Sequence, residues 1–262
     1  METRDWSLVF FTVLTQAAVG MFFTFQAVQV LSRRFGGDAA DGVVVTRQIV
    51  VFVLLSAGLS AALFHLSVPL EAVRAVVNVG SSWLSREIIF GGLFALFLGT
   101  LIARQWSGTE VSRGMQGLTW LTGMAALAFL YCQIKIYLLP TQPSWNSIAT
   151  PASFVATALR LGILGVAALL VTEGLEPLRS SEAKSGQGPG VSCVILRGLV
   201  LAGLLVLGTE LVILPVQISS LISADSSAAA ASHHRLTVDY GFVLMVRLVL
   251  LCIASATLGW LL

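Results

Sequence analysis

His65 and Glu87 are the residues of this chain whose types and surroundings point first to chemistry. Each stands at the edge of a long apolar run, and a polar connection joins them: Phe64-His65-Leu66-Ser67-Val68-Pro69-Leu70, then Arg74 and Asn78, then Gly80-Ser81-Ser82-Trp83-Leu84-Ser85-Arg86-Glu87. A histidine titrates near neutrality, and a carboxylate is another frequent proton acceptor in enzyme sites. The helix predicted to end at His65 and the one predicted to begin at Glu87 flank a short link. A re-entrant or amphipathic course for that link would bring the two side chains together. A carboxylate at a helix N-terminus also sits where the helix dipole favours an anion. The plain alternatives are a helix-end cap or interface role for His65 and an ordinary first-turn role for Glu87.

The elements that must position these residues are set by composition. Of 262 residues, 56% are hydrophobic and 11% are charged. Mean hydropathy is +0.91. Soluble domains carry about 25% charged residues, so lipid is the solvent this chain requires. A formal charge of +2 with scattered basic residues argues against nucleic acid as a partner. Cys132, Cys193 and Cys252 each lie alone in an apolar run, without the spacing of a zinc site, an iron–sulfur cluster or a disulfide framework.

A spanning helix needs about 20 predominantly apolar residues. Seven stretches qualify: Ser7 to Leu31, Val44 to Phe64, Glu87 to Ala103, Met115 to Leu139, Pro151 to Thr172, Val191 to Leu214 and Tyr240 to Leu262. Strands would leave backbone groups unpaired in lipid, so these are read as helices. The fold class is therefore an all-α integral membrane protein, a bundle of about seven transmembrane helices in a single domain over 1–262. The first five spans lie within 7–172, a flexible loop covers 173–190, and the last two lie within 191–262. That loop is rich in Ser, Gly, Lys and Glu from Glu176 to Gly190, and a second loose loop is read at Ser223 to Ser232. The N-terminal apolar run is longer than the core of a cleavable signal and is read as the first span.

Basic residues orient the bundle. Arg33, Arg34, Arg47, Arg104, Arg113, Arg179 and Lys184 fall on one side, against Arg4, Arg74, Arg86 and Arg235 on the other. This bias predicts an outer N-terminus and places the His65–Glu87 region, Lys135 and Glu210 toward the outer ends of their helices. Arg247, on the seventh span, is placed to pair with Glu210, as a structural ion pair or, on the other reading, as part of a proton path. Arg160 lies deeper and Arg197 snorkels to the cytoplasm. Only His65, His233 and His234 are present, the last two adjacent in a polar segment, so two axial haem ligands on facing helices are not available. The seventh span has no lysine for a retinal Schiff base.

Several motifs taken in order resemble the membrane-anchor subunit of the anaerobic dimethyl sulfoxide reductase family (DmsC-like). They are Thr15-Gln16-Ala17-Ala18-Val19-Gly20, His65-Leu66-Ser67-Val68-Pro69, Gly80-Ser81-Ser82-Trp83-Leu84-Ser85-Arg86-Glu87-Ile88, and Lys135-Ile136-Tyr137-Leu138-Leu139-Pro140-Thr141 with Trp145-Asn146. They cover the first 150 residues. The resemblance implies a subunit of a bacterial inner-membrane complex in anaerobic respiration, in which the outer N-terminus predicted from the charge bias would be periplasmic. It implies that the subunit oxidises a menaquinol-type quinol and passes electrons to an iron–sulfur subunit, which feeds a molybdopterin catalytic subunit. Both would dock on the outer face. It implies a quinol site at His65 and Glu87, with no haem or metal in this chain and eight spans where the hydropathy pattern gives seven.

Quinol oxidation releases two electrons and two protons, so an acceptor near each hydroxyl suits that assignment. Trp83 would wall the ring. Arg74, Asn78, Ser82 and Arg86 are candidate donors to the quinol or contacts to the iron–sulfur subunit. Two other readings are a small-solute or ion transporter and a purely structural anchor. The transporter reading expects repeats and midplane polar groups, whereas here the polar groups gather at one face.

Overall fold

The computed structural model describes residues 3–34, 41–65, 78–108, 113–174, 191–223 and 227–260. Helices dominate, as the apolar runs require: α1 (Thr3–Arg34), α2 (Asp41–His65), α3 (Trp83–Trp106), α4 (Arg113–Tyr137), α5 (Ala149–Gly174) and α6 (Val191–Ser223). A short helix α7 (Ser227–His234) then runs through a π-helical turn (Arg235–Asp239) into α8 (Gly241–Trp260). The first six helices are each long and apolar enough to cross a membrane, and the bent pair after them has the length and apolarity of either a seventh, broken crossing or a re-entrant loop. Large apolar side chains on the outside, such as Leu205 and Phe242, are about three-quarters exposed. Hydrocarbon solvates such a surface where water would not, and the chain is a multi-pass membrane protein.

Successive helices run up and down. Tyr137 at the end of α4 meets Thr12 near the start of α1, hydroxyl to hydroxyl at 3.3 Å. The Gln217 amide, late in α6, donates to the Ser144 carbonyl between α4 and α5 at 3.1 Å. One end of the bundle thus gathers the start of α1, the ends of α2, α4 and α6, and the starts of α3 and α5.

α1 is the hub, packed between α2 and α5, while α3 and α4 pair beside it. Phe22 meets Phe94 of α3 edge-on at 5.8 Å, and Phe11 meets Phe129 of α4 at 6.3 Å. Hydroxyls inside the bundle bond back along their own helices. Thr15 donates to the Phe11 carbonyl at 2.7 Å, Thr24 to Gly20 at 2.8 Å and Thr122 to Leu118 at 2.7 Å. No polar side chain among these three asks lipid for a partner.

The closest helix crossing is between α1 and α5, where small residues let two backbones touch. A Cβ on Gly20 would run into the Ala158 carbonyl, and one on Gly162 would run into the Gly20 backbone. Gly20→Ala and Gly162→Ala are therefore expected to lower stability by roughly 1–3 kcal/mol, the usual range for overpacking. Gly92→Ala meets nothing within 4 Å and serves as the control. Thermal unfolding in detergent reads the difference, and equal midpoints for all three would refute the tight crossing.

The structure changes the sequence reading in three places. Ser227–His234 is a helix rather than a loose loop; its alanines have the highest helix propensity of any residue. α6 continues past Leu214 to Ser223, through Pro215, which membrane helices tolerate. α3 starts at Trp83, one turn before Glu87. The last helix pair bends by 66° where the π turn meets α8. The link 66–77 and the linker 175–190 lie outside the described residues.

Candidate functional site

The site begins with how α3 starts. Asn78 opens a tight turn, its carbonyl accepting from Ser81 N at 3.2 Å and Ser82 N at 2.9 Å. Ser82 then caps the helix, its hydroxyl oxygen accepting from the Ser85 amide at 3.3 Å. This is the usual way a serine satisfies an orphan helix N–H. Arg86 folds back over the turn, with Nε donating to the Val79 carbonyl and Nη2 to the Gly80 carbonyl, both at 2.8 Å. Its guanidinium lies 4.2 Å from the Trp83 ring centroid. Ser82 and Arg86, two of the candidate donors, thus hold the entrance of α3 in shape. Asn78 is exposed, and Arg74 lies outside the described residues.

With the helix begun at Trp83, Glu87 falls one turn inside and turns toward the bundle. It is 6% exposed. Opposite it on α4 stands Gln133, 1% exposed, and behind that on α1 stands Thr15, fully buried. The Gln133 amide nitrogen donates to the Thr15 hydroxyl at 2.8 Å, and Gln133 is the polar side chain beside the Glu87 carboxyl. Three helices therefore meet at one carboxyl group near one end of the bundle. His65 is the last residue of α2, which packs on α3 and ends at that same end.

An aromatic and cationic wall flanks the carboxyl. Trp83 meets Tyr131 edge-on at 5.7 Å, and Lys135 Nζ lies 5.7 Å from each ring. Tyr137 packs against Trp145 and Phe154 at 5.6 and 5.1 Å. Trp83, the expected wall residue, stands in the first turn of α3 with the Arg86 guanidinium against its ring. Gln133, Thr15 and Tyr131 are neighbours that a search for ionisable groups passes over. The signal for the first two is an uncharged polar side chain inside an apolar run.

A second polar centre lies between α5, α6 and α8. Glu210, 2% exposed, is paired with Arg160 and with Arg247 Nη2, the latter at 3.3 Å. Arg247 is the partner expected from sequence, and Arg160 joins it. Beside them runs a groove of about 590 Å³, lined by both arginines and by apolar residues including Leu207, Val246 and Leu250.

Comparison with known proteins gives a consistent picture. Residues 1–262 match the family described as DMSO reductase anchor subunit (DmsC). The anaerobic dimethyl sulfoxide reductase protein YnfH of Escherichia coli K12 is 30% identical over 253 residues, which is 95% of this chain and 80% of that protein. A second anaerobic dimethyl sulfoxide reductase component of the same organism is 28% identical over 256 residues, 96% of this chain and 81% of that one. A sulfite dehydrogenase component of Allochromatium vinosum is 31% identical over 174 residues, 62% of this chain and 54% of its own length. No solved structure matches the chain significantly.

Proposed function

The chain belongs to the DMSO reductase anchor subunit (DmsC) family, and from that premise we propose that it oxidises a menaquinol-type quinol at the end of the bundle where Glu87 is buried. The observation that carries this reading is the burial of that carboxyl where α1, α3 and α4 meet, at the end where α2 delivers His65. An ionisable group kept inside a membrane is costly and marks a functional position. The quinol gives two electrons to an iron–sulfur subunit, which passes them to a molybdopterin catalytic subunit. Its two hydroxyl protons leave to bases on this chain, and His65 and Glu87 are those bases. Trp83 supplies an apolar face for the ring, with Lys135 and Tyr131 beside it.

The two soluble subunits dock on this end, over the link 66–82 and the connection from Leu138 to Ile148. With the N-terminus periplasmic in a bacterial inner membrane, that end faces the periplasm. The relatives' names include a dimethyl sulfoxide reductase and a sulfite dehydrogenase, so on this reading the second substrate is chosen by the catalytic subunit.

The test compares the complete complex with its soluble subunits released from the membrane. A short-chain menaquinol is expected to reduce the iron–sulfur clusters only when this chain is present, while an artificial dye donor reduces them in both preparations. Equal reduction by menaquinol without this chain would overturn the reading.

A further inference from the structure

We propose that Gln133, braced by Thr15, is a positioning residue that fixes the Glu87 carboxyl for proton uptake; the inference rests on the quinol reading above. The hydrogen-bond geometry determines which way round the amide sits. The Thr15 hydroxyl donates to the Phe11 carbonyl at 2.7 Å and lies 3.3 Å from the Thr12 carbonyl. Its one hydrogen is therefore committed to the backbone, and toward Gln133 it can only accept. The atom of Gln133 that faces it at 2.8 Å must be the NH2 group. An amide orientation is ordinarily an assignment from the network, and here the network leaves one choice.

Two consequences follow from that orientation. Gln133 Oε1 is buried with no hydrogen-bond partner among the described residues, so a bond to the neighbouring Glu87 carboxyl would use the second hydrogen of the same NH2 group. One nitrogen thus stands between the carboxyl of α3 and the hydroxyl of α1. A buried acceptor without a partner is uncommon and asks for a reason.

The same arrangement excludes a proton wire through Thr15. The line ends on a backbone carbonyl, and an amide does not relay a proton by losing one. Thr15 and Gln133 hold; they do not conduct. Protons taken by Glu87 leave by another route.

The experiment uses the assembled complex with a short-chain menaquinol. Gln133→Leu keeps the volume and removes both amide functions. It is expected to lower kcat about tenfold while KM changes less than twofold and subunit stoichiometry stays intact. Thr15→Val is expected to lower kcat about threefold in the same manner, and Thr15→Ser, which keeps the hydroxyl, is expected to retain the wild-type rate. In a Glu87→Gln background, Gln133→Leu should add no further loss, because the two act through one group.

Wild-type kcat in Gln133→Leu, in a complex where Glu87→Gln is inactive, overturns the brace and leaves the quinol site standing. Losses that multiply independently in the double variant also overturn it. If Glu87→Gln itself keeps the wild-type rate, the quinol site is wrongly placed and the brace falls with it.

Discussion

Replacing Glu87 by Gln is expected to slow menaquinol-driven reduction of the partner's clusters by about 10²-fold or more, the scale on which a positioned proton acceptor acts. Gln is nearly isosteric with Glu and can still hydrogen-bond Gln133, so packing among α1, α3 and α4 is kept. What it cannot do is take up a proton. His65→Ala is expected to behave alike, because a quinol that loses two protons stalls when either acceptor is missing. Electron entry from an artificial donor to the soluble subunits should be unchanged in both variants, which separates a lost quinol site from a lost complex. Assembled variants that keep wild-type quinol-driven rates would make both side chains structural and move the site elsewhere.

Much of this arrangement is legible in the sequence because membrane helices declare themselves by length and apolarity. The first six spans emerge from hydropathy with errors at their ends. Those errors have local causes. Glu87 reads as the first residue of its helix because the charge breaks the apolar run there. Ser82 caps the helix earlier, with Trp83 and Leu84 already inside it. That one-turn difference decides the chemistry, since a first-turn carboxyl would face the bundle end whereas Glu87 faces Gln133. The amide itself is invisible to a search for charge, and Thr15 is 118 positions away from it in the chain. No local pattern encodes that contact; it follows from the way α1 is inserted between its neighbours.

The last helix pair is harder to read for a different reason. α7 is built from alanines and serines, whose small side chains look loop-like in composition while their backbone favours a helix once a neighbour is present. Ala229 is fully buried there. The join to α8 is a π-helical turn ending at Asp239, which no simple periodicity describes. The pairing of Glu210 with Arg247 can be read from counting turns inward on α6 and α8. The addition of Arg160 cannot, because it depends on how α5 leans against α6.

That three-way cluster leads to the other large effect, which falls on stability. Glu210 is the counter-charge for two guanidinium groups, and one of its oxygens, Oε1, has no hydrogen-bond partner among the described residues. Removing one member of a buried ion pair typically costs about 3–5 kcal/mol, because the remaining charge keeps its desolvation penalty without its partner. Glu210→Leu should fall at the lower end of that range here, because the Arg247 side chain it leaves behind is half exposed; the loss is read as a lower unfolding midpoint in detergent or nanodiscs. Arg160→Met should cost less, because Glu210 keeps Arg247. Replacing all three at once, with Glu210→Leu, Arg160→Met and Arg247→Leu, should recover most of the loss or better, as apolar replacements of buried ion clusters often do. Recovery would show that the cluster is kept for something other than stability. If Glu210→Leu alone leaves the midpoint unchanged, the arginines reach polar surroundings without their carboxylate, and the cluster is a surface feature of the helix bundle rather than a buried one.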